Sequence, residues 1–144
     1  LHPGSLAIVE GDGQVAGGER AALELLDRMP DVTGLVCYND LTAIGAVRAL
    51  RARGRQVPAD VSIVGYDDIP LSAWVDPALT TIAQPTAEMG RWAVRRLGEL
   101  IGRLAGAVEA GDSAAEPAGD GRAPVILPVE LRVRASTAAP RRTP

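Results

Sequence analysis

Three times in succession the chain passes from a short apolar run into residues at helical spacing, and this alternation restricts the fold more than any other feature. The apolar segment Leu6–Glu10 is followed by the break Gly11-Asp12-Gly13. Val15, Gly18, Ala22, Leu25, Leu26 and Met29 then mark one face of a helix that Pro30-Asp31 closes. The run Thr33–Tyr38 is β-branched and apolar without polar alternation, which predicts a strand covered on both faces. Asn39-Asp40 is suited to cap a second helix, with Leu41, Ile44, Val47 and Leu50 on its apolar side, Arg48, Arg51, Arg53 and Arg55 in solvent, and Gly54 as its stop. Val61–Gly65 predicts a third strand and Leu79–Ala83 a fourth. Strands and helices in this order imply an α/β fold, a three-layer Rossmann-like parallel sheet flanked by helices and joined by right-handed crossovers.

Beyond Pro85 the pattern lengthens. Met89, Ala93, Leu97, Leu100, Ile101 and Leu104 form a stripe, while Arg91, Arg95, Glu99 and Arg103 lie on another side, so residues 85–104 read as an amphipathic helix. Residues 105–124 are dominated by Ala, Gly, Glu, Asp and Pro with hardly any large apolar residue to bury, and read as a flexible loop. Order is expected to return over residues 125–137, with one or two strands between Val125 and Val133, and residues 138–144 read as a frayed tail.

Composition excludes several functions. All 15 basic residues are Arg, but 18 acidic ones leave a net charge of -3, which gives no long-range attraction to a phosphate backbone. The chain alone is not expected to bind DNA. With one histidine, His2, and one cysteine, Cys37, a metal site and an internal disulfide have no basis. Cys37 reads as a buried thiol in a reducing compartment. No apolar stretch reaches the ~18 residues of a membrane span and no signal-type segment is present, so the chain reads as cytoplasmic.

Two places could carry chemistry. Gly11-Asp-Gly13-Gln-Val-Ala16 fits the loose dinucleotide pattern between a strand and a helix, yet Asp12 would set a negative charge beside the phosphates. No acidic residue ends the next strand at the required distance either, and an ordinary glycine-rich turn explains the string. The other place is the row of polar residues that follow successive strands, Asn39, Asp67 and Gln84. In a parallel sheet these ends share one edge, where open α/β folds bind ligands, and an amide, a carboxylate and a second amide suit neighbouring hydroxyls of a sugar-like molecule. Each has a plainer alternative: Asn39 or Asp40 as a helix cap, Asp67 as a turn residue, Gln84 as a solvated side chain.

Four strings, Tyr38-Asn-Asp-Leu-Thr-Ala-Ile-Gly-Ala46, Gly54-Arg-Gln-Val-Pro-Ala-Asp-Val-Ser-Ile-Val-Gly-Tyr-Asp-Asp-Ile-Pro70, Pro77-Ala-Leu-Thr-Thr-Ile-Ala-Gln-Pro85 and Ile126-Leu-Pro-Val-Glu-Leu-Arg-Val-Arg-Ala-Ser-Thr137, resemble the C-terminal half of LacI/GalR transcription regulators in order and spacing. The resemblance implies two Rossmann-like subdomains of periplasmic-binding-protein type with a sugar or related metabolite bound between them. Residues 1–84 would belong to the C-terminal subdomain, and the 85–104 helix would pack on an N-terminal subdomain that this truncated stretch lacks. Asn39, Asp67 and Gln84 match the family's effector contacts. The family usually places an aromatic at the position of Gly13, so a stacking platform is absent there. DNA would be reached only through a helix-turn-helix ahead of this stretch, and homodimers would form through Ala43, Ile44, Val47, Leu71, Trp74 and Val75, although Trp74 could equally cover its own sheet edge. The function implied is that of an effector sensor, with no catalysis and no cofactor. A periplasmic sugar-binding protein of a transporter shares the fold, but the Val64-Gly-Tyr-Asp-Asp-Ile-Pro70 and Leu127–Thr137 strings are more typical of regulators. A dinucleotide-dependent enzyme is the third class, and no NAD response is expected.

Overall fold

The computed structural model describes residues 6–109 and 124–139. They fall into two compact units, one formed by the chain up to Gln84 together with the stretch from Glu130 onward, the other by Pro85–Val129.

In the first unit, helix α1 (Val15–Arg28) leads to strand β1 (Gly34–Val36), helix α2 (Asp40–Ala52), strand β2 (Ser62–Asp67), a short 3-10 turn at Pro70–Ala73, strand β3 (Thr80–Ala83) and finally strand β4 (Glu130–Arg132). The sheet order is β1-β2-β3-β4. The first three strands are parallel, with Leu35 beside Ile63 and Tyr66 beside Ile82. β1, β2 and β3 form the expected parallel sheet, and the returning β4 joins it antiparallel to β3, with Leu131 opposite Ile82, which makes the sheet mixed. A strand that returns from a distant segment to an open edge can approach in either direction, whereas a βαβ crossover cannot.

The core lies between α1, α2 and one face of the sheet. Leu50, Val61, Ile63 and Leu79 are fully buried, and Ala22, Leu26, Leu35, Ala43, Ala46, Val47 and Ala49 complete the cluster. Helix α2 sits very close to α1. A Cβ on Gly45 would come within 2.1 Å of the Val15 carbonyl oxygen, so only glycine permits that approach.

Several sequence expectations are corrected. Leu6–Glu10 makes no strand, and Leu6 and Ile8 are exposed. An apolar run becomes a strand only when a ladder accepts it, and β1 is hydrogen-bonded along β2 alone. For the same reason β1 is not covered on both faces: Leu35 is buried but Val36 is 89% exposed. Ala43 and Val47 belong to the core and cannot line a dimer surface, because the same helix face that would meet a partner is used against α1 and the sheet. Ile44 and Val75 are only half-buried and Leu71 and Trp74 are exposed. The one or two strands expected over residues 125–133 are met by a single short one, Glu130–Arg132. The chain is still held at Ala138, whose amide donates to Ser62 Oγ at 3.1 Å, so the described tail is tied one residue beyond the expected end of order. Residues 140–144 lie outside the described residues.

The second unit contains helix α3 (Thr86–Glu109). It starts where Pro85 predicts and runs five residues past the expected end at 104. Ala105-Gly106-Ala107-Val108 offers little to bury, but it holds no proline, and helical hydrogen bonding does not require a buried face. The expected loop is thus shortened at its start; residues 110–123 of it lie outside the described residues.

Candidate functional site

Parallel strand order brings the three strand-end residues to one rim. Asn39 follows β1 and is the N-cap of α2, Asp67 ends β2, and Gln84 directly follows β3, whose last residue Ala83 is in register with Asp67. Tyr38, Asn39, Tyr66, Asp67 and Gln84 line a single open recess of about 410 Å³, within the range of small-molecule sites.

The local chemistry fixes each polar group without exhausting it. The Asn39 Oδ1 accepts from the Thr42 backbone N–H at 2.8 Å, the capping bond, while its Nδ2 donates to the Gly13 carbonyl at 2.9 Å. The second amide hydrogen and a lone pair remain for another partner. The Gln84 Nε2 donates to Asp67 Oδ1 at 2.6 Å, leaving Asp67 Oδ2 as an acceptor and Gln84 Oε1 beside it. Asp67 and Asp68 both have positive φ, 110° and 54°, so the chain turns sharply at the rim and aims the carboxylate where an extended strand would not.

A buried network holds that turn in place. The Asp40 carboxylate, fully buried under the rim, accepts from the Ile69 N–H at 2.9 Å and from the Thr81 hydroxyl. Burial raises its pKa above the ordinary aspartate value, against those two hydrogen bonds, and the charges of Asp67 and Asp68 add to the rise. Arg134, from the returning segment, donates to Asp68 Oδ1 at 2.6 Å, to Ser72 Oγ at 3.0 Å and to the Leu79 carbonyl at 2.9 Å. Burial also pushes the Cys37 thiol up to about 12, with Asp40 as a smaller cause, so this free cysteine is an inert protonated group.

The sequence reading missed Tyr38 and Tyr66, although the scarcity of aromatics was itself a signal: the chain has two tyrosines and both line this recess. It also missed Arg134, which no strand-end rule selects. The glycine-rich string at Gly11–Ala16 forms no phosphate cradle. The Asp12 carboxylate accepts from the Gln14 N–H at 2.9 Å, placing an anion where a pyrophosphate would have to sit. Among the described residues no group of three or more His, Cys, Asp or Glu side chains could hold a metal, and no helix is long and apolar enough to cross a membrane.

The family model for the periplasmic binding protein-like domain matches residues 5–137. The transcriptional regulator MalR of Streptomyces coelicolor is 52% identical over 86 residues, 60% of this chain and 24% of that protein. The chain thus spans about a quarter of the length of the curated relatives it matches. Among solved structures, a complex of the transcriptional regulator CelR with cellobiose superposes with a TM-score of 0.70 at 38% identity, covering 88% of this chain and 34% of that one. The lac repressor dimer bound to operator and the anti-inducer ONPF gives a TM-score of 0.71 at 32% identity, covering 90% of this chain and 40% of that one.

Proposed function

The chain belongs to the periplasmic binding protein-like domain family, and from that premise we propose that it is the C-terminal part of the effector sensor of a LacI-type transcriptional regulator. The observation that carries this reading is the common rim of Asn39, Asp67 and Gln84, which offers an amide, a carboxylate and an amide to adjacent hydroxyls of a sugar or related metabolite. The relatives are regulators rather than transport proteins or enzymes, which favours a regulator over a periplasmic sugar carrier and leaves no reaction to assign.

The remaining parts of the reading follow from the same premise. A second subdomain supplies the other wall of the cleft, and α3, whose Val94, Leu97 and Ile101 are exposed, supplies an apolar face for it. The effector selects one closure of the two subdomains and so sets the spacing of paired DNA-binding heads that lie outside this stretch. Pairing with a second copy uses the 3-10 turn, where Trp74 is 85% and Leu71 48% exposed. The protein works in the cytoplasm, without a cofactor.

The test is a thermal-shift screen of sugars on the protein and on Asp67→Ala. A sugar that raises the melting temperature of the parent is expected to lose its effect on the variant. Equal stabilisation of both forms refutes the assignment.

A further inference from the structure

The polar rim accounts for the hydroxyls of a ligand but not for the apolar face that every pyranose or furanose ring also presents. Tyr38, two residues past the end of β1, is 82% exposed and borders two spaces at once. It lines the recess with Asn39, Tyr66, Asp67 and Gln84, and it also lines a second cavity with Gly11, Asp12 and Gly13. The ring lies against Gly13: a Cβ there would stand 3.6 Å from Tyr38 Cε1 and 3.8 Å from Cδ1, in ordinary van der Waals contact. Gly13 has φ of 76° and its carbonyl is tied to Asn39 Nδ2, which fixes the backbone against which the ring rests.

We propose that Tyr38 is the specificity-determining platform of the recess, stacking on the C–H face of a sugar ring whose hydroxyl edge meets Asn39, Asp67 and Gln84. The inference rests on the effector-site reading above and adds one requirement to it, that the ligand be cyclic. An open-chain polyol carries the same hydroxyls without a flat apolar face, so the rim alone would accept it and the platform would not.

Both tyrosines of the chain line the recess, so the tyrosine near-ultraviolet bands report on this site. The 144-residue chain, Tyr38→Phe, Tyr38→Ala and Asp67→Ala are titrated with glucose, ribose, cellobiose and lactose and with the alditols sorbitol and ribitol. Far-ultraviolet circular dichroism confirms that each variant is folded; Tyr38 is exposed and its removal leaves the core untouched. The expected result is that a cyclic sugar perturbs the tyrosine bands and binds at least tenfold more tightly than its alditol, that Tyr38→Phe keeps this preference, and that Tyr38→Ala loses it while Asp67→Ala loses binding altogether. If Tyr38→Ala keeps both affinity and the ring preference while Asp67→Ala does not bind, the platform is refuted and the effector site stands. If Asp67→Ala binds as the parent does, or no sugar perturbs the parent, both readings fall.

Discussion

Arg134→Ala should destabilise the first unit more than any surface change, because the guanidinium closes a junction of three chain segments. It meets Asp68 beside the rim, Ser72 in the 3-10 turn and the carbonyl of the fully buried Leu79. The side chains of Arg134 and Asp68 are only 22% and 23% exposed, so solvent screens the pair far less than the open ion pairs of the helices. Ser72 keeps a second partner, the Ile69 carbonyl at 2.7 Å, and loses little. Asp68 loses its cation and the Leu79 carbonyl loses a donor. A hydrogen bond to a charged group contributes ~1.5–3 kcal/mol and an orphaned buried carbonyl costs about 1 kcal/mol, which together predict roughly 3 kcal/mol. For a unit of this size that lowers the melting temperature by roughly 10–20 °C. The assay is urea and thermal unfolding followed by far-ultraviolet circular dichroism, to which α1 and α2 of this unit contribute. Arg134→Lys keeps the charge but cannot reach all three partners, and should retain about half the stability. A midpoint for Arg134→Ala within 2 °C of the parent, or additive losses in Arg134→Ala/Asp68→Ala, would show that the junction does not act as a unit.

Two further outcomes follow from the same packing. Asp40 has a raised pKa because burial disfavours its charge, so its contribution to stability is fully present below the unfolded value of about 3.9 and is lost as pH rises through the folded value. Asp40→Asn can keep both hydrogen bonds, with Oδ1 on the Ile69 N–H and the amide donating to Thr81 Oγ1, which switches to acceptor. Its stability relative to the parent should therefore improve from pH 4 to pH 7 in urea titrations, and parallel curves would contradict this. Gly45→Ala sets helix propensity, worth about 1 kcal/mol in favour of alanine, against a Cβ placed 2.1 Å from the Val15 carbonyl and 2.6 Å from the Glu19 amide. Both obstacles are backbone, so α1 and α2 must separate, at a cost of ~1–3 kcal/mol beyond the propensity gain; a variant that melts above the parent would overturn the close-approach account.

How much of this was legible in the sequence depends on whether a feature follows from order along the chain or from convergence in space. The parallel core and the common edge of Asn39, Asp67 and Gln84 follow from order, because the C-terminal ends of parallel strands all lie on one edge of the sheet. The apolar run at Leu6–Glu10 looked as strand-like as β2, but strand formation depends on a partner edge that a one-dimensional pattern does not contain. Arg134 joins residues 55 to 66 positions away, a convergence that no local spacing encodes.

Asn39 shows a subtler limit. Helix cap and ligand contact stand as alternatives when only sequence is considered, yet a primary amide has two hydrogens and two lone pairs, and the cap with the Gly13 tether uses one of each. Capping fixes the rotamer, and with it the directions of the unused donor and acceptor. The structural role is therefore what makes a precise ligand contact possible, since a side chain free to rotate would have to be ordered by the ligand itself, at an entropic cost set against every hydroxyl it bound. The same logic holds for Asp67, whose carboxylate is held by Gln84 and whose backbone turn is held from below by Asp40 and Arg134 through Asp68 and Ile69. Loosening that support should weaken effector binding even where no residue of the rim has been changed.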